Sequence, residues 1–289
     1  MILGIDIGGS HLTAALVDRD SHLLIRDSHK RIHFNSKGTA EEIINAWSDL
    51  INDVFEKNHI LNKKIGIAMP GPFDYEKGIS IIKGLDKYES LYQLNVKELL
   101  ATKLNIPTSH ILMMNDAAAF LQGEVHGGAA VGYHDAIGIT LGTGTGTAAH
   151  HHGITRDANL GPSPFMDSIA DDYFSTRWFL RRHKELTGKS ADDVKSIAKR
   201  YPSEIAIRKL FSEFAQNLTP FLQGFAEKEK PQVIIMGGNI ALCSNLFLPE
   251  LESNLRKANI NTPILLSTLG EDAAILGAAS LFKSTSIVL

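Results

Sequence analysis

A single cysteine, Cys243, in 289 residues excludes an internal disulfide and any cysteine-rich zinc site, so no zinc is expected. No apolar run reaches the roughly 20 residues that span a bilayer, and no membrane segment is expected. Positive charge is not in surplus either. The 29 Lys and Arg residues stand against 32 Asp and Glu, a formal net charge of −3, which gives no broad basic field for nucleic acid. The segment Met1-Ile2-Leu3-Gly4-Ile5-Asp6 lacks the basic n-region of a secretory signal and carries a carboxylate where such a signal is apolar. With 44% hydrophobic residues, the chain can bury a substantial core, split into two domains. A cytoplasmic location is expected.

Glycine is the residue in conspicuous supply, and it collects at strand ends. Ile2 to Ile7 reads as a strand that stops at Gly8-Gly9-Ser10, with Leu12 to Val17 as its antiparallel partner. Ile137 to Leu141 runs into Gly142-Thr143-Gly144-Thr145-Gly146-Thr147, and Val233 to Met236 stops at Gly237-Gly238-Asn239. Glycine lets backbone N–H groups approach an anion closely, so the first two loops suit phosphates, and Asp6 suits a hydrated magnesium ion beside them. A lone glycine turn is more often an ordinary hairpin. The two halves begin alike, each with a glycine-turned hairpin, which points to a weak internal repeat offering one phosphate loop per half to a shared cleft.

The short apolar run Ile111 to Met114 reads as a buried strand that delivers Asn115-Asp116, ahead of a helical alanine stretch ending near Gly127-Gly128. In open α/β sheets such strand ends face the ligand crevice; the competing reading is a plain helix cap. Pro70-Gly71-Pro72, after the strand Ile65 to Met69, forms a fixed loop fit for a pocket wall. A third strand is expected around Leu23 to Ile32, and helices over Thr39 to His59 (with a Thr39/Glu42 capping box), Val96 to Leu104, Asp167 to Thr187, Ser190 to Arg200, Ser203 to Lys228 and Glu271 to Phe282. Ile264 to Leu266 reads as a last strand. Adjacent strand residues face opposite ways, so His150-His151-His152 reads as a solvated hairpin tip and not a metal site. Arg181-Arg182 reads as a solvated helix face.

Taken together, Asp6-Ile7-Gly8-Gly9-Ser10, Pro70-Gly71-Pro72, Asn115-Asp116-Ala117 with Glu124, Leu141 to Gly146, Met236 to Asn239 and Leu276-Gly277-Ala278-Ala279 occur in the order and spacing of ROK-type sugar kinases. The resemblance covers nearly the whole chain. It implies an α/β chain with the actin-like ATPase (ribonuclease H-like) fold, two mixed-sheet domains around a central cleft. The smaller domain would span 1–115, completed by a C-terminal helix about 272–289, and the larger 116–271. It implies ATP-dependent phosphorylation of a hexose or hexose-derivative hydroxyl, with Asp116 as general base, Asp6 near Mg2+, and a homodimer as the assembly. Asn115, Gly71, Asn159 and Asp171 would meet the sugar. Gly8, Gly9, Ser10, Gly142, Thr143, Gly144 and Thr145 would hold phosphates, and Gly237, Gly238 and Asn239 the nucleoside. A non-catalytic sugar-binding or sensing protein of the same fold is the alternative. The departures concern the sugar: the family's Glu-x-Gly-His aligns with Asn159-Leu160-Gly161-Pro162, the usual cysteine-rich zinc motif is missing, and His11 stands where a lysine is common.

Overall fold

The structure, a computed structural model, describes residues 1–282. It divides into two compact units, one formed by Met1–Val131 with the chain from Glu271 on, the other by Gly132–Gly270. The division falls after Val131 and not, as expected, after Asn115, because the helix that Asn115 opens packs within the first unit. The expected closing helix is Asp272–Ala279; positions 283–289 of the stretch assigned to it lie outside the described residues.

In the first unit, β1 (Ile2–Ile7) and β2 (His11–Val17) form the expected hairpin, and β3 (Lys30–His33) adds a third antiparallel strand. This third strand is shorter than Leu23 to Ile32 because a 3-10 turn occupies Arg26–Ser28. Helix α1 (Ala40–Lys57) opens on the Thr39/Glu42 capping box and buries Ile43, Ile44, Trp47, Leu50, Ile51 and Val54, the stripe its spacing predicts. β4 (Ile65–Met69) follows, then the small hairpin β5 (Phe73–Asp74) and β6 (Ile79–Ser80), α2 (Val96–Leu104), β7 (Ile111–Asn115) and α3 (Asp116–Gly127). The sheet order is β3-β2-β1-β4-β7, with β1, β4 and β7 parallel. Parallel strands are covered on both faces. The closing helix covers one face so closely that a Cβ at Gly4 or Gly66 would lie 2.2 or 2.0 Å from its carbonyl oxygens of Ile275 and Ala278. Against α3 the approach is reciprocal: a Cβ at Gly123 would meet the Ala273 oxygen at 2.0 Å, and one at Gly277 the Ala119 oxygen at 1.8 Å.

The second unit repeats the plan. β8 (Asp135–Leu141), β9 (Thr145–His151) and β10 (Ile154–Asp157) are antiparallel. After the short hairpin β11 (Pro164–Phe165) and β12 (Ser168–Ile169) come α4 (Asp171–Phe174), α5 (Thr176–Thr187), α6 (Val194–Ala198) and α7 (Ile205–Glu229). The parallel strands β13 (Val233–Gly237) and β14 (Ile264–Leu266) flank α8 (Leu248–Lys257). The order β10-β9-β8-β13-β14 matches that of the first sheet, three antiparallel strands followed by two parallel ones. Its core is aromatic, with Phe174, Phe179, Phe211, Phe214 and Phe247 fully buried.

Three expectations are corrected here. The helix expected over Asp167 to Thr187 is interrupted, because Ser175 is extended (φ −105°, ψ 166°) and Ser168–Ile169 pairs as a strand. The helix expected from Ser190 starts at Val194, since Asp193 and not Ser190 accepts the capping bond from Ser196. The histidine triplet is not a solvated tip. His150 is 3% exposed with Nδ1 2.6 Å from Thr155 Oγ1, while His151 on the opposite face lies 2.8 Å from Asp135 and 3.0 Å from Glu229. Only His152, at φ 49°, occupies the turn. Among the described residues no helix is long and apolar enough to cross a membrane.

Candidate active site

Strand register gathers the first unit's candidate residues at one sheet edge. Asp6 pairs with Ala68, Ala68 with Met114 and Met69 with Asn115, so Asp6, the Pro70-Gly71-Pro72 loop and Asn115-Asp116 all stand where parallel strands end. Asn115, 9% exposed, does act as a cap: its Oδ1 accepts from Ala118 N at 3.0 Å. Its Nδ2 faces Tyr75 Oη at 3.3 Å, and that hydroxyl donates to the Met69 carbonyl at 2.9 Å. Tyr75 thereby ties the end of β4 to the start of α3 beside Gly71. Nothing in its sequence context marks this role.

Asp116 is the first residue of α3, with Oδ1 2.9 Å from Ala117 N. It keeps some accessible surface, yet the atoms packed around it deprive its carboxylate of water and push its pKa up, against the pull of its own backbone hydrogen bond and of Lys87. Burial, then the charges of Asp116 and Glu271, push the Asp6 carboxyl up to about 7, and Arg31 only partly opposes them. Excess acidic charge with little cationic compensation, presented by hard oxygen donors, is the chemistry that suits magnesium. The Gly8-Gly9-Ser10 turn is closed by Gly8 N donating to the His11 carbonyl at 2.8 Å, leaving Gly9 and Ser10 exposed. A Cβ at Gly8 would lie 2.7 Å from the His11 ring, so a larger residue there would have to displace that side chain. The Tyr88 hydroxyl donates to the Gly8 carbonyl, a contact the sequence reading missed.

Asp6 yields a stability prediction. Its carboxyl ionises near 3.8 in an unfolded chain and near 7 in the fold, so the native state holds the proton more tightly. The stability from the neutral acid is fully present below pH 3.8 and is lost as pH rises through about 7. In magnesium-free buffer Asp6→Asn should therefore melt higher than wild type, by a margin that grows from pH 4 to 7 and levels off at no more than roughly 4 kcal/mol. Thermal melts across pH check this, and a margin independent of pH contradicts it.

In the second unit the glycine-threonine loop is shorter than its sequence suggests. Leu141 pairs with Thr145, so only Gly142-Thr143-Gly144 turns, and Thr145 to Thr147 belong to β9. Thr143 and Gly144 are exposed. The loop is held from below: Thr176 donates its N–H (2.7 Å) and its hydroxyl (3.0 Å) to the Gly142 carbonyl, and Thr145 N donates to Asp171 Oδ1 at 2.5 Å. Asp171 thus serves as a strut beneath this loop, and its backbone N–H reaches the Gly161 carbonyl at 2.9 Å. Gly238, at φ 87°, packs where a Cβ would lie 2.4 Å from the Leu141 oxygen, and Ile240 N donates to that same oxygen at 3.0 Å. The Gly237-Gly238-Asn239 turn and the Gly142 loop are therefore neighbours, with Gly238 and Asn239 exposed. Asn159 is exposed in a left-handed conformation (φ 48°), its N–H bonded to Asp157. The structure brings Asn159's neighbour Gly161 to Thr145 and Asp171, but not the Asn159 side chain.

Comparison with known proteins identifies the family and the fold. The family described as the ROK family matches residues 2–161. The glucokinase of Thermotoga maritima is 25% identical, over 98% of this chain and 97% of its own. The N-acetyl-D-glucosamine kinase of Mannheimia succiniciproducens is 22% identical, over 98% and 99%. The crystal structure of a ROK family glucokinase from Streptomyces griseus in complex with glucose and AMPPNP superposes with a TM-score of 0.78 at 22% identity, covering 97% of this chain and 98% of that one. The fold is the actin-like ATPase fold expected from the sequence, with two mixed α/β sheets.

Proposed function

The chain belongs to the ROK family, and from that premise we propose that it is a sugar kinase, transferring the terminal phosphoryl group of ATP to a hydroxyl of a hexose or hexose derivative. The observation that carries the reading is the placement of Asp116, a carboxylate in a water-poor setting where β7 meets α3. A sugar hydroxyl is a weak nucleophile. A carboxylate within hydrogen-bond reach takes its proton as the oxygen attacks phosphorus, an assistance of roughly 10² to 10⁴ in rate. Because burial raises its pKa, Asp116 also accepts the proton more readily than a solvated aspartate. Asn115 and Gly71 stand on the same sheet edge and offer the sugar an amide and an open backbone.

The exposed turns Gly8-Gly9-Ser10 and Gly142-Thr143-Gly144 present N–H groups and hydroxyls to phosphate oxygens, and the Gly237-Gly238-Asn239 turn beside the latter meets the nucleoside. Asp6 would hold a hydrated Mg2+, which supplies neutralisation of the phosphate charge. Asp171 keeps the second loop in shape and need not touch the sugar. The glucokinase and the N-acetylglucosamine kinase named above support the substrate class.

Purified protein with MgATP should release ADP only when a sugar is added, and a panel of glucose, fructose, mannose, allose and N-acetylated hexosamines identifies it. Asn159 is exposed and Pro162 lacks a side-chain donor or acceptor, so glucose should show a KM at least about tenfold above that of the preferred sugar. Absence of sugar-dependent turnover across the panel overturns the kinase reading in favour of a sugar-binding protein. A clear preference for glucose overturns only the specificity.

A further inference from the structure

Phosphoryl transfer places negative charge on the terminal phosphate oxygens, and a side-chain cation beside the base adds to the neutralisation that Mg2+ would supply. Few candidates stand near Asp6 and Asp116. The His11 ring covers Gly8, but burial first and Arg31 second hold its pKa below the usual range, so it is neutral at neutral pH. Arg31 is occupied, with Nη1 2.9 Å from Glu271 Oε2. Lys87 remains. It is half-buried, and among the described residues no hydrogen bond or contact ion pair engages its ammonium. Its charge acts on Asp116.

The backbone around Lys87 is held in place with some strain. Asp86 (φ 57°) and Tyr88 (φ 59°) both adopt the left-handed region, which side chains disfavour. Three contacts fix this geometry: Asp86 pairs with Lys37, Tyr88 N donates to the Ser36 carbonyl at 2.7 Å, and the Tyr88 hydroxyl donates to the Gly8 carbonyl. Tyr88 is fully buried against Trp47 and Phe34, and its phenol is pushed up by burial and then by the charges of Asp6 and Asp116. The residue next to Lys87 therefore anchors this segment between the first glycine turn and both carboxylates.

We propose that Lys87 binds the terminal phosphoryl group of the nucleotide donor beside Asp116, an assignment that rests on the sugar-kinase reading. The reacting phosphorus must lie within about 3 to 3.5 Å of the attacking oxygen, and that oxygen within hydrogen-bond reach of Asp116. A free ammonium that acts on Asp116 is thus placed for the phosphoryl oxygens. Its charge also favours the ionised form of the base, which burial opposes.

The test compares Lys87→Met, Lys87→Gln and Lys87→Arg with wild type, each checked by thermal melting. In turnover assays the neutral variants should lose at least about thirtyfold in kcat, with sugar KM changed by less than about twofold, and Lys87→Arg should recover part of the loss. Calorimetry without sugar should show that wild type binds magnesium AMPPNP more tightly than magnesium ADP by about tenfold, as expected for an added charge-assisted contact, and that the neutral variants lose this preference. Either neutral variant that folds suffices. Retention of kcat within about threefold, or an unchanged preference for AMPPNP, overturns the proposal. A wild type without sugar-dependent turnover defeats the sugar-kinase reading separately, and the AMPPNP and ADP affinities then decide Lys87 alone.

Discussion

Asp116→Asn should fold and bind ATP as wild type does while losing at least about a hundredfold in turnover. The amide keeps the size of the side chain and can still accept from Ala117 N at the start of α3, so the helix start survives. It cannot take a proton. Because the atoms packed around Asp116 raise its pKa, neutralising it removes a desolvation cost, and the variant should melt no lower than wild type above neutral pH. The wild-type kcat should rise with pH as Asp116 ionises, and the variant should lack that limb. Single-turnover phosphoryl transfer, nucleotide titration and thermal melts separate the three claims. A folded variant with near-wild-type turnover sinks the assignment of the base.

The second large effect is structural. Gly277→Ala adds a methyl where a Cβ would lie 1.8 Å from the Ala119 carbonyl oxygen and 2.9 Å from Gly123 N. Both neighbours are helix backbone, which cannot rotate away as a side chain does, so α3 and the closing helix must separate. A loss of about 3 kcal/mol is expected, at the upper end of overpacking costs, seen as a fall in Tm of roughly 6 to 12 °C. Gly224→Ala on α7 provides the opposite sign. It is exposed with nothing within 4 Å of its Cβ, so the better helix former should stabilise by roughly 0.5 to 1 kcal/mol. Equal and small changes in the two variants would contradict the close approach.

Strand-end chemistry was legible because it is local. The apolar run Ile111 to Met114 announces a buried strand, and the Asn115-Asp116 pair directly after it stands at the strand's end whatever the tertiary detail. The capping box at Thr39, the β1–β2 hairpin and the break at Gly127 were equally local. What failed depended on strand pairing and tertiary contacts, which residue spacing alone does not reveal. His150 looked like a solvated tip because nothing nearby shows that Thr155 faces it on the next strand. The glycine-threonine run read as one long loop because strand pairing, invisible in composition, claims Thr145 to Thr147. Tyr75 and Tyr88 went unnoticed since their positions depend on contacts with Met69 and Gly8, and Lys87 since only the fold lets its charge act on Asp116. The Asn115 cap and the Asp116 carboxylate turned out to be compatible readings of adjacent residues.

The seam of glycines under the closing helix bears on how the chain is made. Gly4, Gly66 and Gly123 leave the ribosome early, but the backbone that fills their notches comes from Ala273 to Ala278. Until those residues emerge, the first unit carries an uncovered face over β1 and β4 and cannot complete its packing. The second unit is contiguous in sequence, Gly132–Gly270, and needs nothing made later. Synthesis from the N-terminus would therefore let the later half mature first and leave the half that carries Asp116 to seal last. A released chain truncated after Gly270 should expose the first unit to protease while protecting the second.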